Sequence, residues 1–308
     1  MKRKLQKVIF GLLGGFLVLW TMPASASHSP YLPKSYHSEP RHAKARVAKS
    51  SHPKTLPPCA TIHNSVNFPY FSALDIQGPF QVNLTTQKGK QSVDFSGSVD
   101  ALSHLSARVV NNMLILRWIV KKDELLPANP WITVKINMPT SLTRIVIGRN
   151  AELHGNGISS AGLSLITYDH ANVDLSGNIR ISSILANSDG YININTTSSQ
   201  HSLFVGGSGP GTIHLGAGYT PLLTARLFNG LNLDAHALHA QKVYVAVQGH
   251  ALAEVYPIDS LYAFASAAGN IYYYNRPRFL VRSTRDAGNV LYLGRNMQPP
   301  TLLPVPLN

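Results

Sequence analysis

Of the fourteen Asp and Glu residues in this 308-residue chain, only Asp169 and Asp189 fall within a residue of the same position on successive units of a weak internal repeat. If the repeat folds as stacked strands, two such carboxylates lie about one strand spacing apart, ~4.8 Å. Arg149 falls in line one unit earlier. Paired acids beside an Arg are the chemistry of polysaccharide cleavage, either by acid–base hydrolysis or by cation-assisted lysis. The same residues also make an ordinary charge ladder in which Arg149 offsets Asp169 and Asp189 faces water. The ladder is the preferred reading, because polysaccharide-cleaving sites need more acids along one groove than this column offers.

Other chemistry is thinner. His170 and His250 share a column but stand four units apart, roughly 19 Å, too far for shared coordination. His236 and His239 are close in sequence, yet only Asp234 joins them. No metal or cofactor is therefore expected. No nucleophile elbow, phosphate loop or nucleotide fingerprint stands in a strand-to-helix context. The most suggestive surface is near the C-terminus, where Tyr272 and Tyr274 point outward if Tyr273 points in. Arg276, Arg278, Arg282, Arg285 and Arg295 cluster close by. Aromatic faces beside guanidiniums suit sugar rings or anionic polymers. The plainer reading is a solvated face over an interior Tyr273/Tyr292 stack.

The elements that must position these residues follow from the repeat. A small residue and two alternating apolar residues recur as Ala151-Leu153-Gly155, Ala171-Val173-Leu175, Gly190-Ile192-Ile194, Gly211-Ile213-Leu215, Asn229-Leu231-Leu233, Ala251-Ala253-Val255, Gly269-Ile271-Tyr273 and Gly288-Val290-Tyr292. The starts are 20, 19, 21, 18, 22, 18 and 19 residues apart. A unit this short closes its core only by stacking on its neighbours. Between the two apolar columns the residues are polar: Asp174, Asn193, His214, Asn232 and Glu254. A second column, half a unit away, includes Ile145 and Ile147, Leu163 and Leu165, Leu203 and Val205, Leu223 and Ala225, Val243 and Val245, and Leu261 and Ala263. Period-two patterning without a sustained helical period makes the chain all-β, and constant columns make it a β-helix of about eight ~20-residue rungs, ~38 Å long. Alternating runs between Phe68 and Pro139 supply a region of strands that caps the first end.

The flanks read differently. Lys2, Arg3, Lys4 and Lys7 precede the apolar run Val8–Trp20, and Ala24-Ser25-Ala26 offers a small-residue cleavage site. Residues 1–26 thus read as a secretory signal peptide, too short to span a bilayer. Residues 27–66 form a Ser/Pro/His/Lys-rich basic segment, expected to be disordered. It serves either as an arm attracted to anionic surfaces or as a solvated spacer. Of the formal charge of +13, the signal carries +4 and residues 27–58 carry +5, so the folded body is only mildly basic. Cys59 is the single cysteine, which excludes an intramolecular disulfide and leaves an intermolecular bridge or a free thiol. Residues 297–308 are a Pro-rich tail that blunts the last strand edge.

The run Phe71-x-x-Leu74-x-Ile76-x-Gly78-x-Phe80-x-Val82-x-Leu84, the step Val134-x-Ile136-x-Met138-Pro139 and the turns Gly209-Pro210-Gly211-Thr212-Ile213, Ala268-Gly269-Asn270-Ile271 and Ala287-Gly288-Asn289-Val290 resemble one family. It is the family named "putative auto-transporter adhesin, head GIN domain". The resemblance covers roughly residues 68–294 and implies a right-handed β-helical protein of the cell envelope or surface, with no established catalytic residues. Most turns here have lost one or both of the family's glycines, and Ala in their place implies gentler bends. The expectation is an exported, non-enzymatic solenoid spanning residues 67–296, periplasmic, surface-bound or extracellular. Its expected partner is an envelope or host polysaccharide or another anionic polymer, without specific nucleic-acid recognition or an integral membrane segment after signal cleavage. The alternative is a polysaccharide-cleaving enzyme using Asp169 and Asp189.

Overall fold

A computed structural model describes residues 61–120 and 126–294. The signal peptide, most of the basic segment, Cys59, Arg295 and the Pro-rich tail lie outside the described residues. Eighteen strands join one sheet system, and the one helix among the described residues is the five-residue α1 (Val99–Ser103). About seven stacked turns form a β-solenoid, close to the eight expected.

Each coil has two legs. The long strands β9 (Glu152–Asp169), β10 (Asn172–Ser188), β13 (Thr212–Phe228), β14 (Asn232–Gln248) and β15 (Leu252–Ser266) run through both legs and bend at a corner between them. Register shifts at that corner in β10 and β14 mark the bend. Neighbouring coils pair in parallel, so identical positions superpose: Leu153, Val173, Ile192, Ile213, Leu233, Ala253, Ile271 and Val290 make one inward column. The second leg contributes Ile145, Leu165, Ile184, Val205, Ala225, Val245 and Ala263. All of these are buried, and no solvent reaches Leu153, Leu165, Val205 or Leu261.

The register corrects the repeat at one unit. Leu233 pairs with Ile213, so the unit runs Leu231-Leu233-Ala235 rather than Asn229-Leu231-Leu233. Asn229 and Gly230 instead make the turn before it, with φ of 53° and 92°. The outward residue of this rung is therefore Asp234, not Asn232. The second column slips in the same way at its first unit, where Ile145 pairs with Leu165.

One turn column explains the lost glycines. Arg149 and Asn150, Asp169, Gly209, Asn229, Gly249, Ala267 and Asp286 occupy the turns of this column with positive φ, and the turn at Ser188, between Asp169 and Gly209, is the exception. The bends are therefore not gentler where Gly is missing: Ala267 (φ 54°) and Asp286 (φ 58°) adopt the left-handed backbone themselves. Asp and Asn do this at modest cost because their short polar side chains bond locally. Gly is demanded elsewhere by close approach: a Cβ on Gly190 would lie 2.0 Å from the Ala171 carbonyl oxygen of the previous coil.

The N-terminal region is more interwoven than a simple lid. Strands β2 (Ala73–Gln77) and β3 (Phe80–Thr85) form a coil sandwiched in parallel between β6 (Met113–Trp118) with β7 (Ile132–Asn137) on one side and β8 (Arg144–Gly148) with β9 on the other. Antiparallel strands β4 (Ser92–Ser98) on β7 and β5 (Leu105–Val110) on β6 then close that end. The switch from parallel to antiparallel pairing stops the solenoid from propagating. Strand β1 (Thr61–Val66) pairs antiparallel with β4, so ordered structure starts before residue 67, where the disordered segment was expected to end. Its largely exposed residues made it look like linker, yet an edge strand needs pairing more than burial.

Candidate functional site

The expected C-terminal patch is not assembled as an exposed aromatic platform. Strand β16 (Asn270–Tyr273) places Tyr272 in the outward column above Glu254, yet Tyr272 is 4% exposed and Tyr274 8%. Both side chains are covered, and the Tyr274 ring folds back on the preceding coils. Tyr274 Oη donates to Glu254 Oε2 at 2.6 Å, and its ring lies 5.5 Å from that of His236. Burial raises the pKa of both phenols, and Glu254 adds to the rise. Arg276, Arg278 and Arg282 are exposed as expected. Arg276 stacks over Tyr292 at 4.8 Å from the ring centre. Arg282, on β17 (Phe279–Thr284), takes the inward column above Ala263.

The acid pair also has a structural explanation. Asp169 occupies the positive-φ turn column, and the Asp189 amide donates to its carbonyl at 3.3 Å. Asp189 pairs through Oδ1 with His170 Nδ1 at 2.6 Å. They line an open, shallow depression with Ser208, Gly209 and Pro210. Arg149 lines a different cavity, with Arg108, Arg117 and Trp118 near the capped end.

Two surfaces emerge that the sequence reading did not place. The first lies on the second leg. Phe204, Thr224, Tyr244, Tyr262 and Val281 form an outward column. Gly206, Arg226, Ala246 and Phe264 form the next. Tyr244 and Tyr262 stack at 4.5 Å with 4° between planes, while remaining 42% and 38% exposed. With Phe264 (42% exposed) and Arg226 they form an amphipathic strip along the solenoid. The eighteen-residue spacing of Tyr244 and Tyr262 matches the repeat and was available as a signal.

The second is a polar cluster on the first leg. Parallel register stacks His214, Asp234, Glu254 and Tyr272 on four consecutive coils. His236, two residues beyond Asp234, points to the same side. Asp234 carries a histidine on each oxygen: His214 Nδ1 lies 2.8 Å from Oδ2, and His236 Nδ1 hydrogen-bonds Oδ1. Burial works to raise the Asp234 pKa, but the hydrogen bonds and charges of His236 and His214 outweigh it and hold the carboxyl below its usual range. Donor atoms of Asp234, His236 and Glu254 all lie within 4.8 Å of one another.

Comparison with known proteins places this solenoid. Residues 70–277 match the family described as "Putative auto-transporter adhesin, head GIN domain", and the chain belongs to that family. A "putative adhesin" from Bacteroides fragilis NCTC 9343 shares the fold at 19% identity, with a TM-score of 0.55 over 76% of this chain and 97% of that one. One from Parabacteroides distasonis ATCC 8503 does so at 15% identity, TM-score 0.62, over the same shares. A "putative lipid binding protein" from that organism matches at 13% identity, TM-score 0.62, over 75% of this chain and 96% of the other. At these identities the likeness is one of fold alone. No curated protein matches the chain. Among the described residues no helix is long and apolar enough to cross a membrane.

Proposed function

We propose that the protein is an exported, non-catalytic adhesin that binds a polysaccharide or another anionic polymer of the cell envelope or host surface. The observation that carries this reading is the exposed Tyr244/Tyr262 stack flanked by Phe264 and Arg226. Tyr edges offer an apolar surface beside a hydroxyl, and a guanidinium adds paired donors for carboxylate or sulfate substituents. The strip spans consecutive coils along the solenoid axis, which suits an extended ligand. Membership of an adhesin family supports the reading. Among the described residues, Asp169 and Asp189 are joined by no further acid in the depression they line, which favours the non-catalytic reading. The test is an array of envelope and host polysaccharides probed with the full chain and read for both retained protein and released oligosaccharide. Retention without release is expected; release abolished by Asp169→Asn would establish an enzyme instead.

A further inference from the structure

We propose that Asp234, His236 and Glu254 form a binding site for a divalent transition-metal ion, with His214 and Tyr274 orienting the two carboxylates. The placement follows from the fold. Parallel register puts Asp234 and Glu254 on adjacent coils, about 4.8 Å apart along the axis. Like charges on neighbouring strands destabilise the pairing, and a cation held between the two carboxylates relieves that repulsion.

The donors already converge. Their atoms lie within 4.8 Å of one another, and a tetrahedral ion with bonds of about 2.0–2.2 Å needs donors about 3.5 Å apart. Side-chain rotation of about an ångström closes the difference. Each carboxylate has one oxygen already committed to an outer partner. His214 Nδ1 holds Asp234 Oδ2 at 2.8 Å, and Tyr274 Oη donates to Glu254 Oε2 at 2.6 Å. Glu254 Oε1 is left for the ion, and Asp234 Oδ1 takes it by giving up its hydrogen bond to His236 Nδ1. Outer hydrogen bonds of this kind fix ligand orientation, and their loss commonly weakens metal binding 10–100-fold.

The donor set selects the ion. One imidazole and two carboxylates, without thiolate, suit Zn2+, Cu2+ or Ni2+ rather than Cu+, while the imidazole disfavours Ca2+ and Mg2+. Two carboxylates balance a 2+ charge. The side chains of Asp234 and His236 keep 32% and 46% of their exposure, so the ion would retain a position open to water or to an incoming donor.

Chelator-treated full-length protein titrated with ZnCl2 by calorimetry tests the site. Thirteen histidines, five of them at positions 28, 37, 42, 52 and 63, can take up zinc adventitiously, so the variants carry the test. Wild type should bind one equivalent at least tenfold more tightly than Asp234→Asn, His236→Ala or Glu254→Gln. Exposed His250→Ala should match wild type. Tyr274→Phe should fall between. Zinc should raise the melting temperature of wild type but not of His236→Ala. If Asp234→Asn misfolds, the more exposed His236 carries the comparison. Folded His236→Ala and Glu254→Gln that take up zinc as wild type does, or a wild type without a tight equivalent, would overturn the proposal.

Discussion

Asp234 shows how much one residue's place depends on register. Read from the sequence with the unit starting at Asn229, it stood off the outward column, and His236 and His239 had no acid cluster to complete a site. The pairing of Leu233 with Ile213 brings His214, Asp234 and Glu254, spaced by 20 residues each, into one line. Asn229 misled because a small polar residue before two apolar ones fits both a rung start and a left-handed turn. Tyr274 was misplaced for another reason: alternation tells which way a side chain leaves the strand, not whether its ring then folds back on the neighbouring coil. Replacing Tyr274 by Phe keeps the ring and removes only the bond to Glu254. Urea unfolding of the metal-free protein should show a loss of about 1 kcal/mol. No loss would mean that this hydrogen bond contributes nothing beyond what water supplies.

At the scale of the coil, the sequence was most informative where one side chain repeats at one spacing. The inward columns were legible because burial on both legs leaves no alternative to apolar residues at those positions. The turns were not, because backbone φ depends on the turn geometry and not on whether Gly occupies it: Ala267 and Asp286 take positive φ as Gly209 and Gly249 do. Glycine's necessity is decided by the coil below. Gly190→Ala should cost about 1–3 kcal/mol, because its Cβ would collide with the Ala171 carbonyl, whereas Gly162→Ala, with open space around its Cβ, should be neutral within about 0.5 kcal/mol. Thermal melts of the two variants side by side make the comparison. Equal losses would show that coil spacing is looser than the described geometry.

For the whole molecule, the solenoid follows from the ~20-residue repeat and its capped first end from the alternation between Phe68 and Pro139, although the insertion of the β2–β3 coil between β6–β7 and β8–β9 does not. Such out-of-order stacking leaves no local signal, since each strand carries the same period-two pattern whichever neighbour it meets. The last described rung is managed differently. Strand β17 is exposed throughout, and Arg282 stands in a column that is otherwise apolar. An inward charge at an edge disfavours the stacking of another chain. Arg282→Leu should therefore increase self-association, seen as a larger species in light scattering at the same concentration; an unchanged monomer–oligomer distribution would show that the edge is guarded by something else. Adhesion is assigned above all to the exposed aromatic strip of the second leg. The direct measurement is the affinity of the full chain, and of a Tyr244→Ala/Tyr262→Ala variant with an unaltered melt, for the polysaccharide retained on the array. A drop of tenfold or more in the variant is expected, and equal affinity would contradict the assignment of this face as the adhesive surface.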